Sequence, residues 1–266
     1  MKKRFAIFLS LLIAVLSALV PAAGLAESAA LIESGAQALA DSETRMSGID
    51  DFLAGLESIG GLTYQVGSRG TGVQEFQRLL ITAGYLSEGD DDGMYGKGTA
   101  DAVAEFQNAS GLKATGNADA ATQFMLVMAN AQLVEEGDSY IAQVNNYALI
   151  LRPGFGFYLG SLNADGSFDK GTYYYVDTQD YYAGEFKNNV RSGSGTAHFA
   201  NGDIYTGSWS NDAMEGEGVY YFGGIDSGEY YEGSWSANAM NGNGTYTLPN
   251  GTQITGKWFY NQHASW

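Results

Sequence analysis

The sequence predicts a multidomain α + β protein: a small three-helix domain followed by an elongated array of antiparallel β-hairpin repeats. Three observations carry this. Between Leu62 and Met128 apolar residues recur at intervals of three and four, the period of a helix with one buried face. Beyond Pro153 the chain turns to glycine and aromatics, with 20 of its 37 Gly, 13 of its 18 Tyr and all four Trp. Within that second stretch the glycines return at a nearly constant interval, the mark of a copied structural unit.

The first element is a targeting segment. Lys2, Lys3 and Arg4 precede an apolar run from Phe5 to Val20, and small residues follow through Ala26. These are the parts of a secretory signal peptide over 1–26, with cleavage expected near Ala26; the apolar core is short for a membrane span. Its removal takes three cations away, so the charge moves from −17 to 10 − 30 = −20. Residues 27–61 hold seven acids and one Arg, with Ile49, Phe52, Leu53, Leu56 and Ile59 at helical spacing, and read as an acidic, partly helical spacer. Leu248-Pro249-Asn250-Gly251-Thr252 is not a sortase signal, which needs Leu-Pro-x-Thr-Gly.

Residues 62–130 make the helical domain. Val73, Phe76, Leu79, Leu80 and Ala83 form one apolar face, stopped by Gly84. Thr99 reads as the N-cap of a second helix carrying Ala102, Val103 and Phe106, with Gly111 as its stop. Asp119 or Asn117 would cap a third, bearing Phe124, Met125 and Met128. Such a domain is near the lower size limit for independent folding.

The run Gly67-Ser68-Arg69-Gly70-x-x-Val73-x-x-Phe76-Gln77-x-x-Leu80 continues through Gly84-Tyr85-Leu86 into Asp92-Gly93-x-Tyr95-Gly96-x-x-Thr99-x-x-Ala102-Val103-x-x-Phe106-Gln107. Gly111-Leu112, Gly116, Asp119 and Thr122 complete it. This pattern resembles the peptidoglycan-binding domain family found in wall hydrolases, with Phe76 where that family usually has Leu. The resemblance implies non-covalent binding of peptidoglycan, commonly as the targeting module of an enzyme. Most of the motif reads as fold-determining. The wall-contact candidates are its polar or aromatic members: Arg69, Gln77, Tyr85, Asp92, Tyr95 and Gln107. A tyrosine can lay its ring on a sugar while its hydroxyl makes a hydrogen bond, and Arg69 can pair a stem-peptide carboxylate.

After a mixed connector over 131–153, the repeats occupy 154–266. Gly160, Gly184, Gly207, Gly233 and Gly256 are spaced 24, 23, 26 and 23, and Gly171, Gly195, Gly218 and Gly244 keep the intervals 24, 23 and 26. Each unit reads Tyr-x-Gly-x-(Trp/Phe), a polar turn, then Gly-x-Gly. The defining residues are Gly184, Phe186 and Gly195; Gly207, Trp209 and Gly218; Gly233, Trp235 and Gly244; and Gly256 with Trp258. Alternate strand residues share a face, so a glycine opposite a ring leaves room for the ring to lie over backbone. Asn201-Gly202 and Asn250-Gly251 close units as turns.

These units resemble the MORN repeat family over about 156–262. Those from Tyr182, Tyr205 and Tyr231 match well, the unit from Tyr158 is degenerate at Asp169, and Thr255-Gly256-Lys257-Trp258 is truncated. The resemblance implies a scaffold for proteins, in some members associated with acidic lipid. Here residues 151–266 hold 12 acids and 5 bases, which argues against anionic lipid and favours a protein or glycan partner. A choline-binding aromatic repeat is the weaker match, because the Gly-x-Gly rows are foreign to it.

Catalysis finds little material. No cysteine means no thiol nucleophile and no Cys-ligated zinc, and two histidines, His198 and His263, do not build a His-rich zinc site or a triad. The acidic balance excludes nucleic acid. The loop Glu88–Gly93 aligns with a calcium loop until position twelve, where Thr99 stands in place of the bidentate Glu. No metal, cofactor or catalytic residue is expected. The reading is an exported, non-enzymatic wall protein, the alternative being a peptidoglycan hydrolase or its targeting subunit.

Overall fold

The computed structural model describes residues 61–131, 133–152, 155–175 and 178–264. The expected signal peptide and all of the acidic spacer but residue 61 lie outside the described residues. Among the described residues, three helices precede thirteen strands joined antiparallel in chain order. Two compact units divide between Leu159 and Gly160. No helix among the described residues is long and apolar enough to cross a membrane.

The first unit opens with helix α1 (Thr71–Thr82), whose face of Val73, Phe76, Leu79 and Leu80 is fully buried; Ala83 closes it and Gly84 follows in the left-handed region, as its sequence predicts. Helix α2 (Lys97–Ser110) ends on left-handed Gly111, but its start corrects the sequence reading. Gly96 is the N-cap; Thr99 lies inside the helix, buried, with its Oγ1 accepting from Gln77. Helix α3 (Ala120–Asn130) starts on Asp119, whose carboxylate accepts the Thr122 N–H at 2.8 Å.

On α3, Phe124, Leu126 and Val127 are buried, whereas Met125 and Met128 are half-buried, so the expected face is only part of the core. The reason is a second wall. Residues expected as connector form strands β1 (Leu133–Glu136), β2 (Ser139–Val144) and β3 (Tyr147–Arg152), and β2 and β3 pack against α3. Tyr147 is fully buried; its hydroxyl donates to Gln123 Oε1 at 2.7 Å and its ring meets Phe76 edge-on at 6.0 Å.

Strand β4 (Gly156–Leu162) carries the chain across the division. The second unit continues as β5 (Phe168–Tyr175), β6 (Tyr181–Lys187), β7 (Val190–His198), β8 (Ile204–Ser210) and β9 (Ala213–Tyr221). It ends with β10 (Tyr230–Ser236), β11 (Ala239–Thr247), β12 (Gln253–Phe259) and β13 (Gln262–His263). Two turn chemistries alternate. Inside a unit both central residues have positive φ: Asn188-Asn189, Asn211-Asp212, Ala237-Asn238 and Tyr260-Asn261. That is the type I′ hairpin, whose twist matches the flanking strands. Between units, Gly202 and Gly251 close turns by donating to Phe199 O and Leu248 O. The longer interval of 26 residues has a local cause, a 3-10 turn at Ile225–Ser227 inserted before β10.

Candidate functional site

Three of the six wall-contact candidates turn inward. Gln77 and Gln107 are each 1% exposed and do parallel work. The Gln77 amide oxygen accepts the Gly93 N–H at 2.8 Å, and its nitrogen reaches Asp92 Oδ1, Met94 O and Thr99 Oγ1. The Gln107 oxygen accepts from Thr115 N and Gly116 N, and its nitrogen reaches Asn117 O, Thr115 Oγ1 and Thr122 Oγ1. Each glutamine thus closes the loop after its own neighbourhood and ties it to a threonine in the first turn of the next helix. Tyr95 is buried too, its hydroxyl donating to Gly116 O at 2.8 Å and held well above its usual acidity range by burial. All three side chains are thus engaged inside the domain.

The other three stand at the surface. Arg69 and Met94 face each other in a β-bridge, and Gly67 N and Gly70 N donate to Tyr95 O and Gly93 O, so residues 67–70 and 93–95 form one short rung. On its outer side Arg69 Nη1 lies 3.5 Å from Met94 Sδ. Asp92 is exposed, and its Oδ1 accepts from Met94 N at 2.8 Å and from Gln77 Nε2 at 3.0 Å. Those two bonds, first the backbone one, hold its carboxyl below the usual aspartate value. Tyr85 is half-buried, edge-on to Phe106 at 5.4 Å, and lies off the rung. Sequence reasoning missed Met94 and Val66, the large apolar side chains exposed on or beside this rung.

The acidic loop is occupied by internal bonds. Asp91 pairs with Arg78 at 2.8 Å, Asp90 accepts the Ser87 N–H, and Asp92 serves the turn. Among the described residues no cluster of three or more His, Asp or Glu side chains is arranged to hold a metal ion.

In the repeats the two glycine series become one row. Gly171 faces Gly184, and the row runs on through Gly195, Gly207, Gly218, Gly233, Gly244 and Gly256, crossing β5 to β12. Rings lie over it on one face, with Tyr182, Trp209, Tyr205, Trp235, Tyr231 and Trp258 meeting in sequence at centroid distances of 5.1–5.4 Å, nearly perpendicular at each step. Phe186 joins its end against Tyr182. Each indole donates to a glycine carbonyl of the preceding unit: Trp209 to Gly195, Trp235 to Gly218, Trp258 to Gly244. The opposite face carries Thr196 with Thr206, Thr245 with Thr255, and the carboxylates Glu185, Glu217 and Glu232.

Both histidines pack against aromatic rings. His198 stacks on Tyr181 at 4.3 Å, and burial lowers its pKa. His263 lies edge-on to Trp258 and occupies the space above Gly256, closing the ring column.

Two family models match the chain. Residues 69–126 match the family described as "Putative peptidoglycan binding domain", and residues 182–204, 205–224 and 231–253 match the MORN repeat. Both resemblances stand, in the order in which they occur along the sequence. The matched families are binding and repeat types, not catalytic ones. No curated protein matches the chain. The peptidoglycan-binding match begins at Arg69 and includes Gln77, Met94, Thr99, Gln107 and Thr122, so the loop-closing glutamines and the facing pair Arg69 and Met94 belong to the same matched segment.

Proposed function

We propose that this chain is an exported, non-enzymatic cell-wall protein. Its helical unit holds peptidoglycan non-covalently, and its repeat array presents a β-sheet scaffold to a protein or glycan partner. The observation that carries this is the peptidoglycan-binding match over 69–126, lying on a packed helical unit whose exposed rung bears Arg69 and Met94, with Asp92 beside it. The basic start and small-residue cleavage region at Ala26 support export. The ring column of the repeats supports a scaffold role, because its aromatics are engaged with one another and with glycine carbonyls.

Co-sedimentation of the mature chain with purified sacculi tests the first part. The chain should pellet with sacculi, and a fragment of residues 61–159, which keeps the β2–β3 wall over α3, should pellet as well. The fragment from residue 160 onward should stay largely in solution. A mature chain that remains in the supernatant overturns the reading. Zymography on wall-containing gels tests the absence of hydrolysis: a clearing zone abolished by one carboxylate substitution would make the chain an enzyme.

A further inference from the structure

We propose that the helical unit recognises a free carboxylate of the peptidoglycan stem peptide through the Arg69 guanidinium, with an adjoining alanine side chain seated on Met94 and Val66, and that the sugar strand is not the recognised part. This rests on the peptidoglycan reading above and names which portion of the polymer is held.

Charge comes first. In a chain with 30 acids and 13 bases, cations are expected to be satisfied internally. Arg78 pairs with Glu75 and Asp91, and Lys97 pairs with Asp101. Arg69 forms no ion pair among the described residues and rests instead on a thioether, Met94 Sδ. Asp92, beside the rung, interacts with the Arg69 charge but makes no ion pair with it, its Oδ1 being engaged by Met94 N and Gln77 Nε2. A planar guanidinium left exposed in this way presents a two-pronged donor that matches a carboxylate.

The apolar surround points the same way. Between residues 61 and 130, Val66 at 65% and Met94 at 46% are the large apolar side chains that stand exposed among the described residues; Met94 faces Arg69 in the rung, and Val66 is the residue that leads into it. Stem peptides supply alanine methyls next to carboxylates, which suits a small apolar seat beside a cation.

Sugar recognition lacks its usual instrument. A sugar ring packs its C–H face on an exposed aromatic ring. In this region Tyr64, Phe76, Tyr95, Phe106 and Phe124 are buried. Tyr85 is half-buried against Phe106 and off the rung.

A competition experiment on the mature full chain bound to sacculi tests this. The competitors are a synthetic stem peptide with free carboxylates, the same peptide with its carboxylates amidated, and glycan strands stripped of peptide. The free peptide should displace the chain, and the amidated peptide and bare glycan should need on the order of tenfold more or fail. Arg69→Ala should weaken sacculus binding by about tenfold with an unchanged far-UV spectrum, and Arg69→Lys, which keeps charge but loses the fork, should fall between. Bare glycan competing as well as the free peptide overturns the proposal, as does equal competition by the amidated peptide, a test that needs no variant. Arg69→Ala binding like the wild type also overturns it. A wild-type chain that never pellets overturns the parent reading instead.

Discussion

Tyr182 lies across Gly195, with its ring where a Cβ on that glycine would stand and its hydroxyl tip donating to Glu185 O at 2.9 Å. Tyr205 covers Gly218 and Tyr231 covers Gly244 in the same way, their hydroxyls donating to Ser208 O and Ser234 O. Tyrosine and glycine are thus one structural unit, in which the missing side chain on one strand is the seat of the ring from the strand beside it. The first glycine of each Gly-x-Gly has a different task. Gly193, Gly216 and Gly242 have positive φ where the pairing with the preceding strand slips by two residues, a bulge that non-glycine residues adopt only with strain.

Gly218→Ala should therefore destabilise the array strongly. The new methyl meets the Tyr205 ring and cannot be relieved without moving Tyr205, which also holds Trp209 and Trp235. We expect a loss of about 1–3 kcal/mol or more, read by urea unfolding followed through tryptophan fluorescence, since every tryptophan lies beyond residue 200. Gly98→Ala, in the first turn of α2 with open space around it, should be neutral or stabilising by about 0.5–1 kcal/mol. Equal effects from the two substitutions would contradict the seat.

Asn238 carries a second repeated device. Its side-chain oxygen accepts the Met214 N–H at 2.8 Å while its own N–H donates to Met214 O, and its φ is 66°. Asp212 clamps Arg191 and Asn261 clamps Met240 in the same two-point manner, and Asn189 accepts from Phe168 N, so neighbouring units are stitched along their turns. Asn238→Ala loses the side-chain bond and strains the turn; Asn238→Gly loses only the bond. Both should lower the denaturant midpoint, Ala by about 1–2 kcal/mol and Gly by roughly half of that. If Gly costs as much as Ala, the left-handed turn contributes nothing of its own.

Much of this was legible in the sequence. The ring column follows from two-residue alternation combined with the glycine intervals, which is why Gly184, Trp209 and Gly218 were found by spacing alone. The turn clamp was legible too but overlooked: Asn189, Asp212, Asn238 and Asn261 are separated by 23, 26 and 23, the intervals of the glycines themselves. Gln77 and Gln107 are buried although a polar side chain in a binding motif reads as exposed, because burial is permitted when every amide group finds a partner. A signal did exist, since a Phe-Gln pair precedes each of two segments, Gly93 to Thr99 and Gly116 to Thr122, that repeat at 23 residues. Tyr147 was out of reach, because nothing local to residues 131–153 says that a hairpin there completes the core of a helical unit.

Gln107→Ala should separate fold from recognition. It strips partners from Thr115 N and Gly116 N and opens a buried site beside Thr122. We expect a loss of about 2–4 kcal/mol in helix stability, followed by far-UV circular dichroism. Sacculus binding should fall only at temperatures where the helices melt and recover on cooling, unlike the loss from Arg69→Ala, which persists in the folded chain. A Gln107→Ala chain that stays fully helical yet fails to bind would return this residue to the ligand surface.

High pH should unfold the repeats in one step, and the tyrosines give the reason. Burial pushes Tyr181 and Tyr231 up to about 12, and raises Tyr182, Tyr205, Tyr220 and Tyr246 further; for Tyr220 and Tyr246, hydrogen bonds to Asp203 and Glu229 add to burial. An unfolded tyrosine titrates near pH ~10. Each of these groups is thus harder to ionise in the folded chain, so its contribution to stability is whole below about pH 10 and falls away as the pH climbs toward the folded value. Because the rings of Tyr182, Tyr205, Tyr220, Tyr231 and Tyr246 each meet a tryptophan, the first ionisation loosens the next. Tyrosinate absorbance and tryptophan emission should therefore change together, in a steep transition above pH ~10. A gradual tyrosinate curve centred near 10 with unchanged tryptophan emission would mean that the rings are not held in the column, and the glycine row would then need another explanation.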